Sequence, residues 1–316
     1  MKTSRTLGYV ATAVALLLLA ACGNSGPSSN ANGTTNIKIG YRPIFTTASA
    51  VNAESAGLFK DHRLKATLTD SGGGAQGIAS VISGNLDFTY ANYTSVFLAA
   101  QKGLPLQLVS GNDLGVGDQG VFVKKDSPIK SVGQLAGKRV AITGLQDIGA
   151  VAVEDLVQEA GGDPSSEHFV ELGFGDMQAA LARGDVDAIW QVDPFQASAK
   201  AAGFRRLGDL FQGKLHDAPV AGWVTSKSFA HAHPDLVKGF QEAMAASIKQ
   251  LNSDPRLFQK LVPTYTQNTA QDVAKAATPS LTSDLDQKAL QTQADLMHEY
   301  GIFKKRFDVS DLLNDH

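Results

Sequence analysis

A short pattern that occurs twice, one hundred residues apart, restricts the fold of this chain more than any other feature. Residues 84–90 read GNLDFTY and residues 184–190 read GDVDAIW. In each copy a glycine ends an amphipathic segment, and an apolar–Asp–apolar run follows that finishes in an aromatic residue. A glycine-containing loop precedes each amphipathic segment, at 71–74 and at 173–176. Two copies of one strand–helix unit predict two similar lobes that face each other.

Around this repeat the chain alternates short apolar strands with amphipathic helices, which indicates an α/β fold with largely parallel sheets. The first series predicts strands at 37–41, 65–69, 86–90 and 105–110, and helices at 49–59 and 75–83. The second predicts strands at 138–143, 168–172 and 186–191, and helices at 148–160 and 177–182. After a strand at 222–226 the pattern is mostly helical, at 234–251, 255–261, 270–277 and 283–300.

The helical tail is expected to return to the first lobe and to make that lobe discontinuous. We therefore predict an α/β protein of two lobes, with residues 36–122 and 222–316 in lobe 1 and residues 123–221 in lobe 2. Two crossings, at 121–125 and 223–227, would form a hinge. Ligands of open α/β sheets lie beyond the carboxyl ends of the strands, so a central cleft between the lobes is the expected binding site.

The N-terminal segment predicts export and anchoring to a membrane. A basic start at Lys2 and Arg5 precedes an apolar run, and Leu-Ala-Ala leads to Cys22, the one cysteine of the chain. The run is too short for a membrane span, which needs about 20 residues. We predict a signal peptide over 1–21, a lipidated Cys22 and a flexible tether over 22–35, which would hold the protein at the outer face of the cell membrane. With Cys22 acylated, no thiol remains for a disulfide, a metal or catalysis.

Charge and motifs argue against several other functions. The net charge of −3 and the absence of a basic run give no support to a nucleic-acid partner. Two matches to G-x-G-x-x-G, at 72–77 and 115–120, fail the dinucleotide test, because the first lacks an acidic residue about twenty positions on and the second precedes a strand. No Gly-x-Ser-x-Gly elbow is present. We therefore expect no enzyme activity, no metal and no cofactor.

Several strings, taken in order along the chain, carry a resemblance to a known family. They are IGY at 39–41, AGLF at 56–59, GNLD at 84–87, KDSPIKSV at 125–132, LAGKRV at 135–140, GDVDA at 184–188, DPF at 193–195 and HPDLV at 233–237. The chain resembles the periplasmic-type substrate-binding proteins of ABC importers for sulfonates, nitrate, taurine and thiamine-pyrimidine precursors. The resemblance implies a type II periplasmic-binding-protein fold and a monomer that closes on a small molecule. It also implies delivery of that molecule to an ABC permease and its ATPase.

In that family the pocket is built by loops that follow successive strands. Matched position by position, the resemblance implies ligand contacts from Arg42, Thr46, Thr47, Gly73, Gly74, Ala75, Gln76, Tyr90, Asn92, Tyr93, Asn112, Gly144, Gln146, Asp147, Phe174, Trp190 and Asp193. Neither Arg42 nor the Gln146–Asp147 pair maps onto a fixed ligand contact of the family. The identity of the solute is therefore open.

The residue types themselves favour an organic anion. Arg42 suits bidentate pairing with a sulfonate or carboxylate, and residues 71–76 at the helix start offer backbone donors to an anion. Asp147 and Asp193 would oppose an anion unless it also carried a cationic or donor group. Tyrosine and tryptophan side chains near the strand ends offer stacking surface, so an aromatic or extended body is favoured over bare nitrate.

Other interpretations stay open. The glycines at 72–74 would form only a tight turn, Trp190 would belong to the core, and Asp193 would merely cap the helix after Pro194. A binding protein for thiamine-pyrimidine precursors, or a related pyrimidine synthase, is the alternative function on the same scaffold. The synthase chemistry is associated with a cysteine-rich motif that this chain lacks. A sensor that signals through its closed form is a third possibility.

Overall fold

The computed structural model describes residues 33–313 of the chain. The predicted signal peptide, Cys22 and most of the predicted tether lie outside these residues. Within them, no helix combines the length and the apolar character that crossing a membrane requires.

Eleven strands in the described part of the chain form two sheets. In chain order they are β1 Thr35–Tyr41, β2 Leu64–Asp70, β3 Phe88–Asn92, β4 Leu106–Leu114, β5 Gln119–Val123, β6 Arg139–Ile142, β7 His168–Glu171, β8 Ala188–Val192, β9 Arg205–Asp209, β10 Pro219–Ser226 and β11 Ser280–Leu281. The first sheet has the order β11-β4-β10-β3-β1-β2, and the second has the order β7-β6-β8-β5-β9. Each sheet has a parallel half, formed by β2, β1 and β3 or by β7, β6 and β8.

Helices cover the faces of both sheets, as expected for parallel strands joined by crossovers. They are α1 Ala48–Ser55, α2 Leu58–Asp61, α3 Gly74–Ile82, α4 Tyr93–Gln101, α5 Ile148–Glu159, α6 Phe174–Arg183, α7 Phe195–Ala201, α8 Lys227–Ala232, α9 Pro234–Ser253, α10 Arg256–Leu261, α11 Ala270–Lys275 and α12 Gln287–Glu299. Short 3₁₀ turns lie at Phe45–Thr47, Val132–Leu135, Gly213–Leu215, Val262–Thr264 and Val309–Leu312.

The repeated pattern has the same structure in both copies, which confirms the predicted repeat. β3 and β8 begin one hundred residues apart, and so do the helices α3 and α6 that precede them. The aspartate of each copy ties its strand to the neighbouring parallel strand. Asp87 Oδ2 accepts a hydrogen bond from the backbone N of Lys38 at 2.7 Å, and Asp187 Oδ2 accepts one from the backbone N of Arg139 at 3.0 Å.

The chain passes between the sheets at 115–118 and again at 210–218. The predicted crossings at 121–125 and 223–227 were wrong, since 121–123 lie in β5 and 223–226 lie in β10. Both runs pair on two sides, β5 with β8 and β9 and β10 with β3 and β4, so they are interior strands and not linkers. The change of sheet therefore falls a few residues before each predicted lobe boundary.

Local sequence also misplaced some elements. The predicted helix at 49–59 is two helices, because Gly57 between α1 and α2 adopts a φ of +78°, which interrupts the helical backbone. The strand predicted at 86–90 begins two residues later, as β3. Helix α4, with its β-branched and aromatic residues, and strands β5 and β9 were not predicted.

The C-terminal helices contact both sheets. Helix α9 packs on the first sheet, where the Phe240 ring stacks on Phe88 with ring centroids 4.0 Å apart. Helix α12 instead packs against both α4 and α5. The Tyr300 hydroxyl, just after α12, donates to Asp155 Oδ1 of α5 at 2.9 Å. The C-terminal tail therefore contacts the first lobe, to which it was predicted to return, and it contacts the second lobe as well.

Candidate ligand-binding site

The carboxyl ends of β1 and β2 place two predicted binding loops side by side. The two strands pair as far as Tyr41 and Asp70, and the backbone N of Ser71 then donates to Tyr41 O at 2.8 Å. The loop after β1 carries Arg42, and the loop after β2 leads into α3. A cation and a helix start therefore meet at one edge of the first sheet.

Arg42 is an exposed cation at the end of β1. Among residues 33–313 its guanidinium makes neither a hydrogen bond nor an ion pair. Its charge still reaches the buried Tyr90: burial and Asp113 raise the pKa of Tyr90, and Arg42 acts in the opposite direction. A guanidinium that no side chain occupies is available for bidentate binding of a planar or tetrahedral anion.

Helix α3 begins with free backbone donors. Its N-cap is Gly73, which has no side chain to cap the helix, and the first backbone hydrogen bond runs from Gly77 N to Gly73 O. Within the described chain the N–H groups of Gly74, Ala75 and Gln76 have no partner. These donors, with the positive end of the helix dipole, form a suitable seat for an anion.

The floor beside these loops is a buried network of polar side chains. The Tyr90 hydroxyl lies 3.1 Å from Thr46 Oγ1 and donates to Asp113 Oδ1 at 2.9 Å. Asn112 Nδ2 donates to Asp113 Oδ1 and to the carbonyl of Thr46, both at 3.0 Å. Trp223 Nε1 donates to Asn112 Oδ1 at 3.1 Å. Because these polar atoms satisfy one another, the network holds the 42–47 loop rigidly on the sheet.

Three buried carboxyl groups, those of Asp113, Asp118 and Asp193, influence one another electrostatically. Burial raises the pKa of Asp113 to about 6. Burial, and then the charges of Asp113 and Asp193, raise the pKa of Asp118. Asp118 is buried and its Oδ1 has no hydrogen-bond partner among residues 33–313. Asp193, at the end of β8, accepts a hydrogen bond on Oδ2 from Ala277 N at 3.1 Å, so it links lobe 2 to the C-terminal segment.

On the second sheet, the loop after β6 is a tight turn fixed by Asp147. Its carboxylate caps α5, accepting from Gly149 N at 2.9 Å and Ala150 N at 3.2 Å, and it accepts from Thr143 Oγ1 at 2.5 Å. Burial raises the pKa of Asp147 to about 6 despite these bonds. The carboxylate is thus committed to the protein, and the exposed amide at the tip of the turn, Gln146, is the polar group that faces solvent.

Aromatic rings border the second lobe next to this turn. The half-buried Phe174 ring lies edge-on to Trp190, with centroids 5.1 Å apart, and stacks near Phe195 at 5.8 Å. Trp190 itself is buried, and its Nε1 donates to Gln119 Oε1 at 2.9 Å. Trp190 therefore belongs to the core, and Phe174 is the accessible ring of this wall.

The predicted site residues fall into two groups, according to whether they are free or are already buried or hydrogen-bonded within the protein. Those with free side chains or free backbone donors are Arg42, Gly73, Gly74, Ala75, Gln76, Gly144, Gln146 and Phe174. Those that are buried or engaged in hydrogen bonds within the protein are Thr46, Thr47, Tyr90, Asn92, Tyr93, Asn112, Asp147, Trp190 and Asp193. For the second group the structure assigns a supporting role, and a ligand contact stays a prediction.

Sequence reasoning missed the buried carboxyl groups of Asp113 and Asp118. Asp113 follows Asn112 within the apolar run of β4, and two adjacent polar residues in a buried strand are a signal of a polar network. Nothing in the local sequence around Asp118 indicates that its carboxyl group is buried, because that burial comes from packing between the lobes.

The fold and the site together define a class of protein. Two α/β lobes, two crossings between them and candidate binding loops at the strand ends are the architecture of the type II periplasmic-binding-protein fold. The chain belongs to the NMT1/THI5-like family, which matches residues 45–257.

Two named relatives and several solved structures are similar to this chain. A Bacillus subtilis (strain 168) protein named for aliphatic sulfonate binding is 22% identical over 97% of this chain and 94% of its own length. The taurine-binding periplasmic protein of Escherichia coli (strain K12) is 23% identical over 71% of this chain and 69% of its own. Among solved structures, the alkanesulfonate-binding protein SsuA of Xanthomonas axonopodis pv. citri, bound to MOPS, has a TM-score of 0.75 and 21% identity, with 91% of this chain and 99% of that chain covered.

The same fold also occurs in an enzyme. The desulfurization enzyme DSZB has a TM-score of 0.63 and 15% identity to this chain, with 88% of this chain and 96% of that chain covered. The fold alone therefore does not separate binding proteins from enzymes.

Proposed function

We propose that this protein is the solute-binding receptor of an ABC importer and that it closes its two lobes around a small organic anion, a sulfonate in the first place. The unpaired guanidinium of Arg42 beside the free donors of α3 is the observation that carries the proposal. A sulfonate offers three oxygen acceptors, enough to bind the guanidinium and the backbone N–H groups together. Relatives named for sulfonate and taurine binding support this ligand class.

The remaining parts of the proposal follow from the role of a receptor. The protein acts without catalysis, is exported, and is anchored through a lipid on Cys22 at the outer face of the cell membrane. It works as a monomer and delivers its solute to a permease and its ATPase. The relatives named as binding proteins support a receptor over an enzyme, although the scaffold is also that of a desulfurization enzyme.

A second ligand class is favoured by one specific observation. The buried Asp118 Oδ1 lacks a partner in the described chain, and the charge of Asp113, in the floor of the site, acts on Asp118. A solute with both a sulfonate and an ammonium group would satisfy both ends. Both ligand classes would bind at the same anion seat. The affinities of a simple sulfonate and of an aminosulfonate are therefore to be compared directly.

The proposal is tested by thermal unfolding of the purified protein with candidate solutes. A hundredfold excess of ligand over its Kd stabilises the folded state by about 2.7 kcal/mol, which raises the Tm by several degrees. We expect methanesulfonate, ethanesulfonate or an aminosulfonate to raise the Tm, and nitrate to raise it less. If no sulfonate or carboxylate shifts the Tm at millimolar concentration, the receptor for an organic anion is the wrong function.

A further inference from the structure

We propose that Leu145, at the tip of the turn after β6, determines specificity for the hydrocarbon tail of the solute. The turn of residues 144–147 on lobe 2 would cover the tail, while Arg42 and the start of α3 on lobe 1 hold the anionic head. This inference rests on the proposed function and names the part of the solute that the second lobe would contact.

Leu145 is an unusual exposed side chain. Among the described residues, the large hydrophobic side chains that are exposed are Leu145, at 53%, and Val116, at 39%. Leu145 is not among the buried or partly buried residues of the hydrophobic clusters. About half of the Leu145 surface is therefore open to be covered by a bound molecule.

The exposure does not come from a loose loop. Asp147 N donates to Gly144 O at 3.1 Å, which closes a four-residue turn, and the Asp147 carboxylate is fixed by the start of α5 and by Thr143. Leu145 and Gln146 occupy the two central positions of this turn. Turn tips usually carry Gly, Asn, Asp or Ser, so an apolar residue held rigidly at this place is not explained by turn formation.

The position of the turn matches that of the anion seat in the other lobe. β6 lies between β7 and β8 as β1 lies between β2 and β3, so the loop after β6 corresponds to the loop after β1. The loop after β1 carries the free cation Arg42, and the loop after β6 carries the free leucine. The corresponding loops of the repeat therefore offer complementary surfaces for an amphiphilic molecule, a charged one for the head and an apolar one for the tail.

The size of the expected effect follows from the burial of apolar surface. Each methylene buried against an apolar side chain changes affinity by about fourfold. A four-carbon tail that contacts Leu145 when the lobes close should bind at least about tenfold more tightly than a one-carbon tail. The affinity of a solute whose tail is too short to reach the turn should not depend on residue 145.

The test compares methanesulfonate and butanesulfonate by titration calorimetry on the full chain in detergent micelles. We expect Leu145→Ala to weaken butanesulfonate about tenfold and to change the Kd of methanesulfonate less than about twofold. Leu145→Met, which keeps an apolar side chain of similar size, should retain most of the preference. Val116→Ala is the matched control, an exposed apolar residue on a crossing segment, and should change neither Kd.

Three outcomes overturn the inference, and they are distinguishable. If Leu145→Ala weakens both sulfonates equally, residue 145 acts on the turn and not on the tail. If butanesulfonate binds the Ala variant as tightly as it binds the unmodified chain, the turn does not contact the tail, and the proposed function still stands. If the unmodified chain binds neither sulfonate, the proposed function fails and this inference fails with it.

Discussion

Asp113 has an environment that departs clearly from that of an ordinary aspartate. It lies buried in β4, accepts hydrogen bonds from Tyr90 and Asn112, and has no cation within bonding distance in the described chain. Desolvation raises its pKa to about 6, above the ordinary value of 3.8. Near neutral pH the buried negative charge of Asp113 therefore lowers the free energy of unfolding.

A pH dependence of stability follows from that shift. The folded protein binds this proton more tightly than the unfolded chain, so the group stabilises the folded state fully below pH 3.8, and the stabilisation is lost as the pH rises through 6. We predict that Asp113→Asn, which keeps an acceptor for Tyr90, raises the free energy of unfolding at pH 7.5 by up to about 3 kcal/mol. Near pH 4 the variant and the unmodified protein should be almost equally stable.

Urea unfolding at several pH values between 4 and 8 measures this difference. The exposed Asp126→Asn is the control and should leave the profile unchanged. A destabilised Asp113→Asn variant at pH 7.5 would mean that the negative charge itself holds the floor together.

At the residue scale the sequence predicted candidate binding loops but not the hydrogen bonds that their side chains form. Arg42 was recognised as an anion partner because a lone arginine after a strand needs no tertiary information. For Asp147 a ligand contact stays a prediction, and in the structure its carboxylate accepts hydrogen bonds from the start of α5. Whether a polar atom is free depends on hydrogen bonds that only the folded loop decides.

At the scale of elements, helix α3 is positioned by a close contact with β3. A Cβ added at Gly77 would lie 2.2 Å from Thr89 Oγ1, so the helix approaches the strand as closely as it does only because this residue is glycine. Gly175, in the corresponding helix α6, has nothing within 4 Å of such a Cβ. The two helices of the repeat therefore each contain a glycine in the first turns, at different positions and in different packing.

The pair predicts opposite effects of one substitution. Gly175→Ala should stabilise the protein by up to about 1 kcal/mol, since alanine is the better helix former. Gly77→Ala should destabilise it by about 1–3 kcal/mol, because the methyl group overpacks the helix–strand contact. The double variant Gly77→Ala with Thr89→Ala, which removes the clashing hydroxyl, should recover part of the loss.

Chemical denaturation of the three variants gives these free energies. If Gly77→Ala proves as stable as Gly175→Ala, then α3 is not held against β3 at this point. In that event the placement of its free N–H groups at the anion seat would lose its structural basis.

The sequence predicted most elements because their periodicity is local. The positions of α3, α6, β3 and β8 follow from the glycines and the apolar–Asp–apolar runs of the repeat. The crossings were misplaced, because β5 and β10 are interior strands whose pairing partners are distant in sequence. Local pattern does not reveal such pairing.

At the scale of the whole molecule, the two lobes share one hydrophobic core. The largest cluster includes Leu106 and Val224 of the first sheet, Val140 of the second, and Leu290 and Met297 of α12. Helix α12 packs against α4 and α5, which belong to different lobes. The lobes should therefore unfold together in the absence of ligand.

The two tryptophans allow this cooperativity to be measured. Trp190 reports on lobe 2 and Trp223 reports on lobe 1, and both are buried. The variants Trp190→Phe and Trp223→Phe each keep one tryptophan. We predict that, in each variant, fluorescence and far-ultraviolet circular dichroism give the same urea midpoint. A fluorescence midpoint that departs from the circular dichroism midpoint in either variant would indicate lobes that unfold separately.

The central claim is that lobe 1 binds the anionic head of an organic solute through Arg42, and calorimetric titration of ethanesulfonate into the unmodified protein and into Arg42→Gln tests it most directly. The exposed Arg63→Gln serves as the control for a general loss of positive charge. We predict saturable one-to-one binding to the unmodified protein and to the control, and a Kd about 10- to 100-fold higher for Arg42→Gln, the cost of one charge-assisted contact. Equal affinities in Arg42→Gln and the unmodified protein would contradict the account.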